Sequence, residues 1–348
     1  MRRLIVLPLA ATLLAQDAQN PVIRTYVQNV VIPVTVQRDG HFITDLEAKD
    51  FRVLDNDKPQ DIKADVSFIP ISLVVAIQAN SATEQVLPTL KRLGSLLEGL
   101  VTGEQGEVAL ISFDHRIQLL QDFTNDSKLL NAALEKLKPG SNTSRLNDAV
   151  IESTRLLKRR PADRRKILML ISETKDGGSE GKPRDALLAL EFNNVIVYPV
   201  NMSRWINKIL KKPDVPQPDP FPVAGRPLPP GAPRTPNTLA QLGGTQGTMG
   251  NFAPLFTEVF TGLKAIFVSN PQELFTRYTG GSEHSFVGLK GFEEAVGAIG
   301  EELHSQYLLS YNPSNKLEGG FHRVQVIVNR PGLKVKARAG YWMAGMPE

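Results

Sequence analysis

Residues Ile71–Gln85 read ISLVVAIQANSATEQ. An apolar run ends abruptly in small polar residues, and a helix-like segment follows. In α/β domains binding chemistry sits at this place, at the carboxyl end of a strand beside a helix N-terminus. Yet Gln78, Ala79, Asn80, Ser81 and Ala82 bring no carboxylate, no histidine and no glycine-rich cradle. The loop has the position of a site without the usual side chains of one.

The period of the flanking sequence decides the fold. Short apolar runs (Leu73–Ile77, Val108–Phe113, Ile167–Ser172, Val195–Val200) alternate with amphipathic stretches such as Leu129–Leu137, Leu146–Leu157 and Ala186–Phe192. Buried strands alternating with helices predict a mostly parallel, Rossmann-like sheet covered on both faces. The stretch EVALISFDHRIQLLQDF predicts a strand, a tight turn at Asp114-His115 and an antiparallel edge strand.

Outward from this core the pattern changes twice. Residues 26–68 carry alternating strands broken by turns at Asp39-Gly40 and at Asn56 to Pro59. Such a segment is half a sandwich and cannot bury its core alone. The end of the chain, from YLLSYNP to KARAGYW, alternates in the same way. The order β, α/β, β therefore predicts an α/β domain over 70–304, inserted between β segments at 22–69 and 305–343 that join in one small sandwich. A Pro/Gly-rich insertion is expected over 203–251, because Pro213 to Pro236 holds ten prolines in 24 residues.

The N-terminus begins with Arg2 and Arg3, continues apolar from Leu4 to Leu14 and reaches small residues near Ala15. It is too short to span a bilayer and predicts a secretory signal over 1–15, with a disordered or membrane-tethering N-terminus as the alternative. The later sequence has no apolar stretch of transmembrane length, so no membrane span is expected after signal removal. The chain has no cysteine, which excludes disulfides and thiolate chemistry and suits export to a bacterial periplasm or the cell exterior. Its net charge of +4 includes the two early arginines, so nucleic acid is not an expected partner.

The α/β pattern with a polar loop after its first strand resembles the von Willebrand factor type A (VWA) fold. More closely, the chain is similar to the VWA-related family of acidobacterial exported proteins. The stretches VIPVTVQRDGHFITDLEAKDFRVLDNDKPQDI, VALISFDHRIQLLQDFTND, SRLNDAV, ELFTRYTGGSEHSF, EELHSQYLLSYNP and RPGLKVKARAGYW carry the likeness. The resemblance implies a metal-ion-dependent adhesion site (MIDAS) for Mg²⁺ or Mn²⁺, built from Asp-x-Ser-x-Ser, a Thr from a later loop and a further Asp. Laid on this sequence, those positions fall on Gln78, Asn80 and Ala82, on Ser144 with Thr143 adjacent, and on Glu173 with Asp176 three residues on. Mg²⁺ surrenders water reluctantly and wants anionic oxygens, so a set reduced to one carboxylate predicts weak or no Mg²⁺ or Mn²⁺ binding. The implied site is a degenerate MIDAS, with no cofactor and no catalytic residue.

Other chemistry is sparse. His41, His115, His284, His304 and His322 lack metal-ligand spacing. Ser282, Glu283 and His284 lack a nucleophile elbow. The basic run LKRRPADRRK at 157–166 reads as a solvated helix end. The expectation is thus an exported, non-enzymatic protein-binding module for adhesion or assembly. Its predicted rim is Gln78, Asn80, Ser81, Thr143, Ser144, Glu173 and Asp176. The alternatives are a scaffold subunit of an envelope complex and, with less support, a hydrolase.

Overall fold

Nine residues of alternating apolar character open the described chain as β1 (Val30–Arg38). A computed structural model describes residues 30–65, 69–100, 106–210, 270–315 and 320–343. The expected signal segment 1–15 and residues 211–251 of the expected insertion lie outside the described residues. β2 (His41–Phe42), β3 (Phe51–Asp55), β4 (Lys58–Gln60) and β5 (Ile62–Asp65) follow. Asp39-Gly40 and Asn56-Asp57 turn these hairpins with positive φ at every position, the backbone that two-residue hairpin turns require.

The α/β domain starts at β6 (Ile71–Gln78), which is buried along its whole length. Leu73, Val75 and Ile77 enter one apolar core, while Val74 and Ala76 enter the other. This two-sided burial makes β6 a central strand of a six-stranded sheet. Its order is β11 (His284–Ser285), β10 (Val195–Asn201), β9 (Arg165–Ser172), β6, β7 (Glu107–Phe113) and β8 (Ile117–Thr124). All pairings are parallel except β7 with β8, the edge hairpin that turns at Asp114 to Arg116.

One face of the sheet is covered by α1 (Leu87–Leu90), α2 (Leu93–Leu100), α3 (Ser127–Glu135), and two helices placed later in the chain. The other face is covered by α4 (Leu146–Lys158), α5 (Pro183–Phe192) and a further late helix. α6 (Ser203–Leu210) belongs to the first face and buries Ile206. The first eight residues of the expected insertion are therefore helix, since Ile206 and Ile209 give them a stripe to pack. α7 (Pro271–Thr279) joins the second face through Leu274, Phe275 and Tyr278. α8 (Gly288–Ser305) joins the first through Phe292, Val296, Ile299 and Leu303. Gly281, just after α7, is needed where it stands: a Cβ there would fall 1.9 Å from the Val197 carbonyl oxygen.

β12 (Tyr307–Tyr311), β13 (Gly320–Val328), β14 (Lys334–Ala337) and β15 (Gly340–Met343) end the described chain. β12 and β14 flank β1 in one antiparallel sheet, ordered β14-β1-β12-β5, and β13 lies between β15 and β3 in the other. The two sheets share one core, with Ile32, Val34 and Val53 from the early segment packed with Tyr307, Leu309 and Val324 from the late one.

A buried carboxylate ties this sandwich together. Asp55 accepts from Tyr311 Oη at 2.8 Å, Tyr341 Oη at 2.6 Å and Asn315 Nδ2 at 3.2 Å, and His322 Nδ1 stands at 2.7 Å. Asp55 and His322 are both fully buried, so the polar contacts there offset a desolvation cost that would otherwise oppose folding.

The sandwich also grips the α/β domain. Buried Arg338 donates to the Gly340 carbonyl at 3.1 Å, and its guanidinium lies 3.8 Å from Glu191 of α5. Burial pushes the Glu191 carboxyl from 4.5 up to about 7, against the pull of Arg338 and a backbone N–H of Trp342.

Two outcomes follow from this packing. A chain ending at Ser305 lacks every late partner of β1 and β3, so hydrogen exchange should show loss of amide protection across Val30–Arg38. Because Glu191 keeps a proton when folded that it releases when unfolded, stability should fall as pH rises from about 4.5 to about 7. The drop should be roughly 3 kcal/mol. Urea titrations at both ends of that window should show the fall for the parent and a flatter profile for Glu191→Gln.

Candidate binding site

The carboxyl ends of β6 and β9 bring Gln78 and Glu173 together. Gln78 is fully buried, and its side-chain amide makes three hydrogen bonds. Its Oε1 accepts from the Glu173 backbone N–H at 2.9 Å. Its Nε2 donates to Asn80 Oδ1 and to Glu173 Oε2, each at 3.1 Å. A backbone N–H can only donate and a carboxylate can only accept, so this network fixes which end of the amide is which. Asn80, 3% exposed, passes the chain of bonds on through Nδ2 to the Asn142 carbonyl at 3.4 Å.

Three loops meet around this amide. Thr83 Oγ1 reaches back to the carbonyls of Gln78 and Asn80, rounding the turn after β6. The Ser81 N–H donates to the Ser141 carbonyl at 3.0 Å, and the Ser81 hydroxyl donates to Asn142 Oδ1. Asp114, at the end of β7, accepts from the N–H groups of Arg116 at 2.7 Å and Ser141 at 3.0 Å, with His115 Nδ1 at 2.8 Å. Burial raises its pKa, but these donors outweigh that and hold the carboxyl below the usual range. Gly140 lets the loop approach, since a Cβ there would fall 2.0 Å from Asp114 Oδ2.

The loop after β9 is fixed by α4. Asp176 accepts from the Leu146 N–H at 3.0 Å, from Asn147 Nδ2 at 2.7 Å and from the Ser179 hydroxyl at 2.8 Å. It caps the first turn of α4, so this residue of the predicted rim is spent on the helix end. Asp148 answers from the helix, accepting from the N–H groups of Glu180 and Gly181. On the far side, Gln272 of α7 donates to Ser172 Oγ at 2.6 Å and to the Glu173 carbonyl at 2.9 Å.

The predicted residues thus converge, with different roles. Gln78, Asn80 and Ser144 are buried, and Thr143, Glu173 and Asp176 are half-buried. Ser81, Ala82, Asn142, Lys175, Gly177 and Gly178 are exposed. Asn142, Asp114 and Gln272 were not singled out from sequence for this site. An Asn in a loop and an Asp in a hairpin turn read as turn residues, and only the fold brings them here.

The donor set does not fit Mg²⁺ or Mn²⁺. The Gln78 amide aims two N–H groups at the two oxygens, Asn80 Oδ1 and Glu173 Oε2, that a cation in this frame would draw. Ala82 offers a methyl, and Glu173 is the one carboxylate. Ser144 Oγ, buried and without a hydrogen bond, is the remaining oxygen at a matching position. A hard cation loses more hydration here than this set returns. No group of three or more His, Asp or Glu residues able to hold a metal occurs among the described residues.

The second candidate cluster comes apart. Ser282 bonds to Glu302 and Lys336 rather than to His284, and Glu283 accepts from Asn201 at 2.7 Å and Asn270 at 3.3 Å. These residues brace α7, α8 and β14. They do not form a nucleophile–base pair.

Fold and loops together define a class. Residues 76–177, within the α/β domain, match the family model of the von Willebrand factor type A domain. No curated protein matches the chain. Among solved structures, it is similar to the conserved hypothetical protein BatB from Bacteroides thetaiotaomicron, at 17% identity over 38% of this chain and 66% of that one, with a TM-score of 0.33. It is similar to the three N-terminal domains of the type V pili tip protein Mfa5 from Porphyromonas gingivalis, at 14% identity over 49% and 33%, TM-score 0.29. It is also similar to the PilB minor pilin from Streptococcus sanguinis, at 8% identity over 69% and 62%, TM-score 0.41.

The amide network has a measurable worth. Gln78→Met keeps the volume but leaves the Glu173 N–H and the Asn80 carbonyl without their bonds. Urea unfolding should show a loss of about 2 kcal/mol or more.

Proposed function

We propose that this chain is an exported, non-enzymatic protein-binding module, of the adhesion or assembly class, whose top loops recognise a partner without metal. The observation that carries the reading is the Gln78 amide. Its two N–H donors hold Asn80 and Glu173 together in the place where a cation would otherwise have to do so. The loops therefore keep their shape with no ion present, which is the condition a metal-free recognition surface has to meet.

The buried residues Gln78, Asn80 and Ser144 are the frame, and the contact surface is their exposed neighbours Ser81, Ala82, Asn142 and Lys175. Affinity on such a surface comes from neutral hydrogen bonds and packing, and it resists chelators. Export rests on the Arg2-Arg3 start and the apolar run behind it. No helix among the described residues is long and apolar enough to cross a membrane.

One observation favours the scaffold reading. The exposed residues of these loops are small, polar or of mixed charge (Glu84, Lys138, Lys175, Glu180), and none is aromatic. Binding hot spots are enriched in aromatics and arginine, so a weak or fixed contact would suit this surface as well.

Metal and rim are tested separately. The parent should show no rise in melting temperature at millimolar Mg²⁺, since only binding to the native state raises it. The combined change Gln78→Asp, Asn80→Ser, Ala82→Ser and Glu173→Asp should create such a rise, and a clear shift in the parent would overturn the metal-free reading. For the rim, Ala82→Arg with Asn142→Arg should abolish co-purification of a partner from envelope extract while leaving the melting temperature unchanged. Undiminished capture by that variant would put the scaffold reading ahead.

A further inference from the structure

The opposite end of the α/β sheet holds a groove of about 440 Å³, of a size that takes ligands. It lies where β9 and β10 begin, one strand length, or about 25 Å, from Gln78 and Glu173. Its sandwich wall is the outer side of the β1–β12 pair. Val31 lies across from Ser310 in that pair and Pro33 across from Leu308, and Val31, Leu308 and Ser310 line the groove. Its other wall is Lys166 and Ile196 from the starts of β9 and β10, with Phe192 and Asn194 from the end of α5. Phe192 is 39% exposed, a large ring left facing solvent at the groove edge.

The charges here depart from a solvated basic helix end. Arg164 lies 3.2 Å from Glu107, a carboxylate it shares with Arg160, and donates to Ser72 and to the Ile71 carbonyl. Arg165 turns under the sheet and donates to the Leu303 carbonyl at 2.7 Å and to Gln306. Two further cations have no such partner among the described residues, Lys158 at the rim and Lys166 inside. Lys166 is half-buried and has no hydrogen bond or ion pair among the described residues. The groove's one carboxylate, Asp163, is exposed and pairs with neither.

An ammonium taken partly out of water without a partner costs free energy that a bound anion recovers. Burial lowers the Lys166 pKa, and no opposite charge restores it. The Ser310 hydroxyl and the Asn194 amide supply neutral hydrogen-bonding groups along the same walls. Val31, Leu308 and Phe192 supply apolar surface between them.

We propose that this groove binds an extended acidic segment of a protein partner, with a carboxylate on Lys166 and a neighbouring apolar side chain against Phe192, Val31 and Leu308. The occupant is a peptide because the groove is open along its edge and its polar groups are spread over two domains. A small acid would use only one of them. Two cations opposed by Asp163 are too few for a phosphate backbone. The site is separate from the loops around Gln78, so it stands or falls apart from the recognition proposed there.

The test uses the full chain and a fluorescent, acetylated hexapeptide alternating glutamate and leucine, read by anisotropy. The controls are the glutamine–leucine peptide and benzoate as competitor. The acidic peptide should bind and weaken with salt, and the neutral peptide should bind at least about tenfold more weakly, a difference of about 1.4 kcal/mol. Lys166→Met should weaken binding by a similar factor without lowering the melting temperature, because it removes an unpaired charge. Phe192→Ser should weaken it independently, and Ala82→Arg should leave it unchanged. The proposal is overturned if the acidic peptide does not bind, if both peptides bind alike, or if binding survives both groove variants. It is also overturned if benzoate displaces the peptide at equal concentration, which would make the groove a small-acid site.

Discussion

The fold depends on the pairing of β1 with β12. Tyr307 donates to the Ile43 carbonyl across 264 positions of chain, and β1 meets β12 over five register pairs. Closing a loop of that length costs about 5 kcal/mol of chain entropy. What offsets it is the shared core, in which neither segment can cover its apolar side alone, and the Asp55 carboxylate, whose hydroxyl, amide and imidazole partners all come from the late segment. The α/β domain is thereby held on a closed base.

At the other end, a different economy operates. A cation site gathers repelling oxygens and relies on an ion to hold them. Here, one neutral amide supplies both an acceptor and two donors, and the Asn80 and Glu173 oxygens that it faces are satisfied from within the chain. Asp114, Asp148 and Asp176, which could have enriched the loops in ligands, are committed to backbone N–H groups instead. The three carboxylates fix loop geometry, and the frame has little charge left to offer an ion.

Most of the fold was legible because its signals are local. β6 announces itself as six apolar residues out of eight, and the shift from period-two alternation to strand–helix alternation marks where the α/β domain begins. Gln78, Asn80, Ser144 and Glu173 could be placed through the resemblance, because a strand end and a helix start fix their positions. The roles of Asp176 and Asn142 were not legible: an acidic or amide loop residue looks the same whether it faces solvent or caps a helix. The basic run at 157–166 misled for a related reason. Composition shows the charge of Arg164 and Arg165, but it does not show Glu107 and Leu303, which turn them inward. The helix Ser203–Leu210 was absorbed into the proline-rich stretch because eight residues make barely two turns, too short a run for its apolar stripe to stand out from the segment that follows.

The inserted domain leaves and rejoins the sandwich at neighbouring strands, since β5 pairs with β12 and Asp65 stands opposite Leu308. A pull applied to the top loops therefore reaches the base through two covalent crossings side by side. Arg165, which grips the Leu303 carbonyl and Gln306 just before the second crossing, acts as a stay on that joint. The molecule is built as a head on a doubled neck.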